Sequence, residues 1–446
     1  PIQAASLPLT LAGHDLIAQA QTGSGKTAAF GLALLNRLDA RFADVQAMVL
    51  CPTRELADQV TQELRRLARA EANIKILSLC GGSTMRPQIE SLAHGAHIVV
   101  GTPGRLMDHL ERGTLQLGSL RTLVLDEADR MLDMGFHDDM VKVASQCPKD
   151  RQTLLFSATY PDDIARLSAR FLRNPKEVKI EAAPATQLIE QRWYEVDRAT
   201  RLDTVTRLLK AERPASAIAF CNTRQQCRDL VDVLTAHGIE ALALHGELEQ
   251  RERDQVLIQF ANRSVSVLVA TDVAARGLDI AQLEAVINVD VTPDPEVHIH
   301  RIGRTGRAGA SGLALNLASM DEMGRVGNIE LLQKQESRWF PLDALPADTG
   351  EPLLPPMVTI QLLGGRKEKM RPGDVLGALT GEAGFAGSQI GKINITDFHT
   401  YVAVEQAIAG KAVAKLNTIN VKGKRVKARL LKDVLRDAAL RLLRFA

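Results

Sequence analysis

Two successive series of short apolar runs constrain this chain more than any other feature. The first series is "QAMVLC" (46–51), "HIVVG" (97–101), "TLVLD" (122–126) and "TLLF" (153–156). Such runs are too short for core helices and lack polar alternation, so they predict strands buried on both faces of a parallel sheet. Between them, "ELADQVTQELRRLARA" (55–70) carries apolar residues at helical spacing. A second series follows: "AIAFC" (217–221), "ALALH" (241–245), "SVLVA" (266–270), "AVINV" (285–289) and "GLALNL" (312–317). Strands alternating with helices predict a doubly wound α/β architecture. Two such series predict two lobes in tandem, 1–182 and 189–345. Residues 182–188 ("AAPATQL") read as the linker between them, and the Pro- and acid-rich 346–356 as a second linker.

A chain of 446 residues has room for that many cores. No apolar run reaches the length of a membrane-spanning helix, so no membrane partner is expected. Five cysteines, an odd number without a Cys-x-x-Cys pair, predict buried reduced thiols and a cytoplasmic protein. The chain opens at Pro1 rather than Met, so a longer parent protein is expected. The net charge of +2 hides an asymmetry: residues 357–431 hold twelve Lys and Arg against five Asp and Glu. An acidic body with a basic appendage suggests an engine joined to a module that binds a polyanion.

Chemistry enters at "AQTGSGKT" (20–27), between the strand-like "DLIAQ" and a helix-like stretch. Glycines there let backbone N–H groups curl around phosphate, and the helix N-terminus that follows favours negative charge. The candidate nucleotide loop is Ala20, Gln21, Thr22, Gly23, Ser24, Gly25, Lys26 and Thr27. Lys26 is placed to reach the β- and γ-phosphates of a nucleotide and Thr27 to ligate Mg²⁺. Ala20 stands where the general phosphate-loop pattern has Gly, and an empty glycine turn is the competing reading. About a hundred residues on, "LVLDEAD" (123–129) ends a strand in acids. Asp126 is the candidate second holder of Mg²⁺, and Glu127 the base that orients or deprotonates the attacking water. Acids in that place also cap helices, but the phosphate loop upstream favours nucleotide hydrolysis.

Asp126-Glu127-Ala128-Asp129 spells the signature of the DEAD-box RNA helicases, which this chain resembles across roughly residues 1–345. The other motifs occur in family order: "PIQ" (1–3), "PTRELA" (52–57), "GG" (81–82), "TPGR" (102–105), "SAT" (157–159), "FCNT" (220–223), "QRER" (250–253), "ATDVAARGLD" (270–279) and "HRIGRTGR" (300–307). The resemblance implies RecA-like lobes and an ATP-dependent enzyme that separates short RNA duplexes locally. It implies that Gln3 reads adenine, with Gly277 and Asp279 also at the nucleotide. Ser157, Thr159 and His300 would couple hydrolysis to RNA binding. Thr53, Arg54, Gly82, Thr102 and Arg105 would line RNA from the first lobe, and Thr223, Gly246, Arg253 and Thr271 from the second. Such contacts to sugar and phosphate fix position without reading sequence. Arg301, Arg304 and Arg307 recur every third residue, a spacing suited to a polyphosphate. By resemblance Arg304 and Arg307 neutralise charge on the γ-phosphate.

The appendage alternates strand-like and helix-like stretches, consistent with a small β-α-β-β-α-β module of the RNA-recognition (RRM-like) type, so the fold class expected is α/β lobes plus a C-terminal α+β domain. Such modules stack bases on strand aromatics, yet here Thr359 and Val404 stand at those places and Tyr401 is the candidate stacker. In "RVKARL" (425–430) Arg425, Lys427 and Arg429 fall on one face of a strand and Val426, Ala428 and Leu430 on the other. Cations facing outward together are then RNA contacts. "GGRKEKMRPGDVLGALTG" (364–381) is similar to the C-terminal domain of the bacterial DbpA subfamily with its YxiN-type relatives. That resemblance implies a 23S ribosomal RNA hairpin as target, pre-50S particles as partner and a monomeric enzyme in large-subunit assembly. The competing reading is a generic basic tail. Residues 432–446 read as an amphipathic helix. Three functions remain open: the RNA-dependent ATPase, a non-enzymatic clamp switched by ATP, and a DNA helicase, which Gln3 and the acidic tetrad disfavour.

Overall fold

The computed structural model describes residues 1–20, 24–70, 73–160, 162–180, 189–275, 283–306, 312–346 and 350–431. The chain divides into two compact units that part between residues 183 and 184. The expected 182–188 linker and the 432–446 helix lie outside the described residues.

The first unit is one seven-stranded parallel sheet. Its strands are β1 (Leu16–Gln19), β2 (Ala47–Leu50), β3 (Ile76–Leu79), β4 (Ile98–Gly101), β5 (Thr122–Asp126), β6 (Gln152–Ser157) and β7 (Lys176–Lys179), in the order β3-β4-β2-β5-β6-β1-β7. The central strands are buried along their whole length, as runs without alternation require. Two clusters, one around Leu123, Leu125 and Leu155 and the other around Phe30, Val124 and Phe156, cover the two faces. Register sets the chemistry: Gln19 lies opposite Ser157, and Asp126 opposite Phe156. The motif residues of this unit therefore gather at the carboxyl edge of the sheet, where open α/β sheets bind ligands.

The second unit opens with β8 (Ile189–Glu195), β9 (Ala217–Phe220), β10 (Ala241–Leu244), β11 (Val267–Ala270), β12 (Ala285–Asn288) and β13 (Gly312–Ala318). They form a parallel sheet in the order β10-β11-β9-β12-β13-β8. Strand β8, at the sheet's edge, is absent from the apolar runs because "IEQRWYE" carries Glu190, Gln191, Arg192 and Glu195 and is buried only at Ile189, Trp193 and Tyr194. The 346–356 segment is only partly a linker. Leu353 joins the core of this sheet and its N–H reaches the Gly238 carbonyl.

The same unit ends in the small antiparallel domain. Its sheet has the order β15-β16-β14-β19, from β14 (Met357–Leu363), β15 (Ile390–Ile395), β16 (His399–Glu405) and β19 (Ala428–Leu430). Helices Pro372–Gly377 and Ala409–Leu416 pack on one face, with Ile360, Leu362, Val402 and Val404 beneath them. Val404 therefore belongs to the core and not to an RNA face. The expected single strand over 425–430 is broken. Lys424–Arg425 (β18) pairs with Asn420–Val421 (β17), while β19 joins the main sheet. The alternation survives the break: Arg425, Lys427 and Arg429 are exposed, and Val426 and Ala428 are buried.

Candidate nucleotide and RNA sites

In the first unit the helix Lys26–Asn36 begins after Gly25, whose φ of +89° is the left-handed region that glycine enters freely. A Cβ at Gly25 would stand 2.6 Å from Gln3 Nε2, and Gln3 donates to the Gly25 carbonyl at 3.3 Å. Gln3 is thus held against the phosphate loop although 22 residues separate the two. Lys26 is buried, and its ammonium donates to the Ala20 carbonyl at 3.1 Å. Thr27 follows in the first turn of that helix. Gln21, Thr22 and Gly23 lie outside the described residues.

Asp126 closes β5 and is 3% exposed. Burial pushes its carboxyl up to about 6, with Lys26 opposing the rise and Glu127 adding to it. Its Oδ1 has no hydrogen-bond partner among the described residues, which is the position a bound cation would satisfy. Glu127 sits at φ +52°, a strained place for a side-chain-bearing residue. Its carboxylate accepts from Arg130 at 2.8 Å.

Asp129, which the sequence reading used only to spell the tetrad, is the hub of the arrangement. Its Oδ2 accepts from the Ala158 N–H, the Thr159 N–H and the Thr159 hydroxyl at 3.0, 2.8 and 3.0 Å. Its own N–H donates to the Ser157 hydroxyl at 3.2 Å. Ser157 and Thr159 are therefore bonded to the acidic motif and not free. On the same edge Thr53 caps the helix Arg54–Leu67, and Thr102 begins the helix Pro103–Glu111. Gly82 has φ +73°. Arg54 lies 3.7 Å from Asp58. Arg105 departs from expectation. Both terminal nitrogens grip the Ser83 carbonyl at 3.1 Å and one also reaches Gln88, so the guanidinium braces the glycine loop instead of projecting outward.

In the second unit Thr223 caps the helix Arg224–Ala236, Gly246 is exposed after β10, and Thr271 precedes the short helix Asp272–Ala275. Arg253 donates to the Ala274 carbonyl at 2.6 Å, tying the 250–253 and 270–279 segments together. The arginine triplet splits. Arg301 is turned into the core, paired two-pronged with Asp272 at 2.7 Å and bonded to Asn222 and the Asp290 carbonyl. It lies over the Phe220 ring. Arg304 is largely buried at the end of that turn, and His300 is exposed on the helix Pro295–Ile302. Gly277, Asp279 and Arg307 lie outside the described residues. Sequence spacing did not point to Asp290, which pairs with Arg201 at 2.7 Å and accepts the Asn222 N–H at 2.8 Å, or to Asp272 as the partner of Arg301.

The small domain overturns one expectation. Tyr401 is 3% exposed, its hydroxyl accepts from Gln361, and Gln361 accepts from Arg429. Thr359 beside it is bonded to Asn262 and Ser264 at 3.2 and 2.7 Å. Thr359 on that sheet face meets the neighbouring lobe, and Tyr401 is buried on it, so its ring is not open for stacking, while Arg429 at the face's other end stays exposed.

Three family models match in series: DEAD/DEAH box helicase over residues 1–167, Helicase conserved C-terminal domain over 200–309, and DbpA RNA binding domain over 359–430. ATP-dependent RNA helicase DbpA of Escherichia coli is 53% identical over 97% of this chain and 94% of its own length. The chain belongs to the DEAD-box RNA helicases. Its C-terminal domain places it in the DbpA subfamily. It is also 47% identical to CshA of Listeria monocytogenes over 77% of this chain and 66% of that protein. Dbp5 of S. cerevisiae, solved bound to RNA and ADP BeF3, superposes with a TM-score of 0.69 at 32% identity, covering 77% of this chain and 90% of that one. The helicase is accordingly an ATP-dependent enzyme of RNA. Among its described residues no helix is long and apolar enough to cross a membrane.

Proposed function

We propose that this helicase is an RNA-stimulated ATPase, cytoplasmic and monomeric, that opens short duplexes in pre-50S particles, directed to a 23S ribosomal RNA hairpin by residues 357–431. One observation carries the catalytic part: buried Asp126 has an unpartnered oxygen, with the Lys26 ammonium near enough to oppose its protonation. Gln3, braced on Gly25, reads adenine, and Lys26 leaves the Ala20 carbonyl for the phosphates. Thr27 and Asp126 fit Mg²⁺, which would supply charge neutralisation at the β- and γ-phosphates. Glu127, oriented by Arg130, positions the attacking water, and Arg304 and Arg307 neutralise charge developing on the γ-phosphate. Asp129 joins that machinery to Ser157 and Thr159, which fits their role in coupling hydrolysis to RNA. Thr53, Arg54, Gly82, Thr102, Thr223, Gly246, Arg253 and Thr271 hold the sugar-phosphate track. Targeting rests on likeness to DbpA that extends through the RNA-binding domain.

A steady-state ATPase assay tests both parts, comparing no RNA, generic RNA, 23S ribosomal RNA and single-stranded DNA. Strong stimulation by 23S RNA alone is expected. Equal stimulation by every RNA would end the targeting claim, and none by any RNA would end the enzymatic one.

A further inference from the structure

Thr359, Gln361 and Tyr401 are buried on the sheet face of the small domain, so Tyr401 offers no open ring to a base. One exposed aromatic stands outside that face. Phe398, in the turn between β15 and β16, is 55% exposed, and Leu363 at the adjoining end of β14 is 50% exposed. The Lys367 ammonium lies 4.2 Å from the centre of the Phe398 ring. An apolar ring left in water costs free energy, so its place in a domain of twelve basic residues calls for a reason.

The turn is held firmly on both sides. The Gly364 N–H donates to the Phe398 carbonyl at 3.0 Å, the Arg366 N–H to Thr396 at 2.9 Å and the Lys367 N–H to Asp397 at 3.1 Å. Within the turn, the Thr396 hydroxyl donates to the His399 carbonyl. Gly365 makes this closeness possible, since a Cβ there would stand 2.4 Å from the Thr396 oxygen. Glu368 secures the loop by accepting the Gly365 N–H at 2.7 Å. Beside it, the Leu363 N–H bonds the Lys427 carbonyl, so the exposed Lys427 flanks the same corner. Arg366 pairs with Asp397 at 3.2 Å in full solvent, a weak tie that a phosphate can displace.

We propose that Phe398 is a base-stacking residue of the RNA-binding domain, with Lys367 and Lys427 on the flanking phosphates. An exposed ring on a rigid turn loses little freedom on binding, and cations beside it suit the backbone of an unpaired nucleotide. A protein partner would want a wider apolar patch than one ring and one leucine. The inference rests on the reading of residues 357–431 as the RNA-targeting module.

The test measures binding of a labelled 23S RNA hairpin fragment, and of an unrelated hairpin of equal length, by the full chain across a salt series. Phe398→Ala should raise Kd about 5- to 100-fold, as loss of one stacked base does, without changing the slope of log Kd against log salt. Phe398→Trp should restore binding. Lys367→Ala should instead flatten the salt slope by about one. Parent-like binding by Phe398→Ala would overturn the proposal, as would Phe398→Trp binding no better than Phe398→Ala. If the parent holds both hairpins equally, 23S targeting fails while the effect at Phe398 still reports the stack.

Discussion

At the scale of single residues, what matters is what each charge is paired with. Glu127 is held in a left-handed conformation at the end of β5, where its carboxylate is aimed by Arg130. Glu127→Gln keeps the shape and removes the base. It should lower turnover at least about 100-fold while ATP and RNA still bind; unchanged turnover would reassign the base. Asp129 makes a separable prediction. Its Oδ2 accepts three donors from the 158–159 turn, and bonds to a charged acceptor are worth about 1.5–3 kcal/mol each. Asp129→Ala should therefore free Ser157 and Thr159, reducing RNA stimulation about tenfold or more with nucleotide affinity nearly unchanged. A parallel fall in ATP affinity would show Asp129 acting on the nucleotide instead. Arg105 points the other way: its guanidinium is committed to the Ser83 carbonyl. Arg105→Lys should soften the 81–83 loop without flattening the salt dependence of RNA binding.

Elements show why some of this was legible beforehand and some was not. The strands β2, β4, β5 and β6 were plain in sequence because parallel strands buried on both faces cannot alternate. Ordered motifs after β1 and β5 made Lys26, Asp126 and Glu127 candidates. What spacing could not show is which side chains turn inward. Arg301 and Arg304 look alike in "HRIGRTGR", yet Arg301 is locked to Asp272. Tyr401 reads as a strand aromatic but is buried and bonded to Gln361 across the sheet, a long-range fact that no local pattern carries. Phe398 was overlooked because it sits in a turn. The helix Pro295–Ile302 holds one more such residue. His298 is buried, stacked on Trp193 and bonded to Gln191. Burial, then the Arg301 charge, pull it down to about 3. Folded His298 thus stays neutral while the unfolded chain takes up a proton below its ordinary value near 6.5. Stability is full above that pH and is lost as pH falls toward 3. Between pH 7 and 5 this linkage amounts to about 2 kcal/mol. His298→Phe should flatten the pH dependence of unfolding in that window; an unaltered profile would place the acid sensitivity elsewhere.

For the molecule, the consequential contact is between its second parallel-sheet lobe and the small domain. Thr359 and Gln361 occupy the sheet face that RNA-recognition modules offer to bases, and here both are buried. The Thr359 hydroxyl bonds Asn262 and Ser264, just beyond the helix Gln250–Ala261 that carries Arg253. Polar groups buried this way cost about 1–3 kcal/mol each when a partner is removed, so the contact has a defined register. It ties the RNA-binding domain to an element already bonded across to Ala274. Thr359→Lys places an ammonium in that contact and should release it. Amide exchange at residues 399–404 should then speed up, as should proteolysis within 346–356. Affinity for the 23S fragment should hold, because Phe398, Lys367 and Lys427 are exposed and take no part in the Thr359 contact. ATPase stimulation by that fragment should fall toward the level given by generic RNA, since target binding would no longer be relayed to the lobe. If Thr359→Lys instead weakens RNA binding as much as it weakens stimulation, the covered face is itself the RNA surface, and docking competes with RNA instead of transmitting its presence.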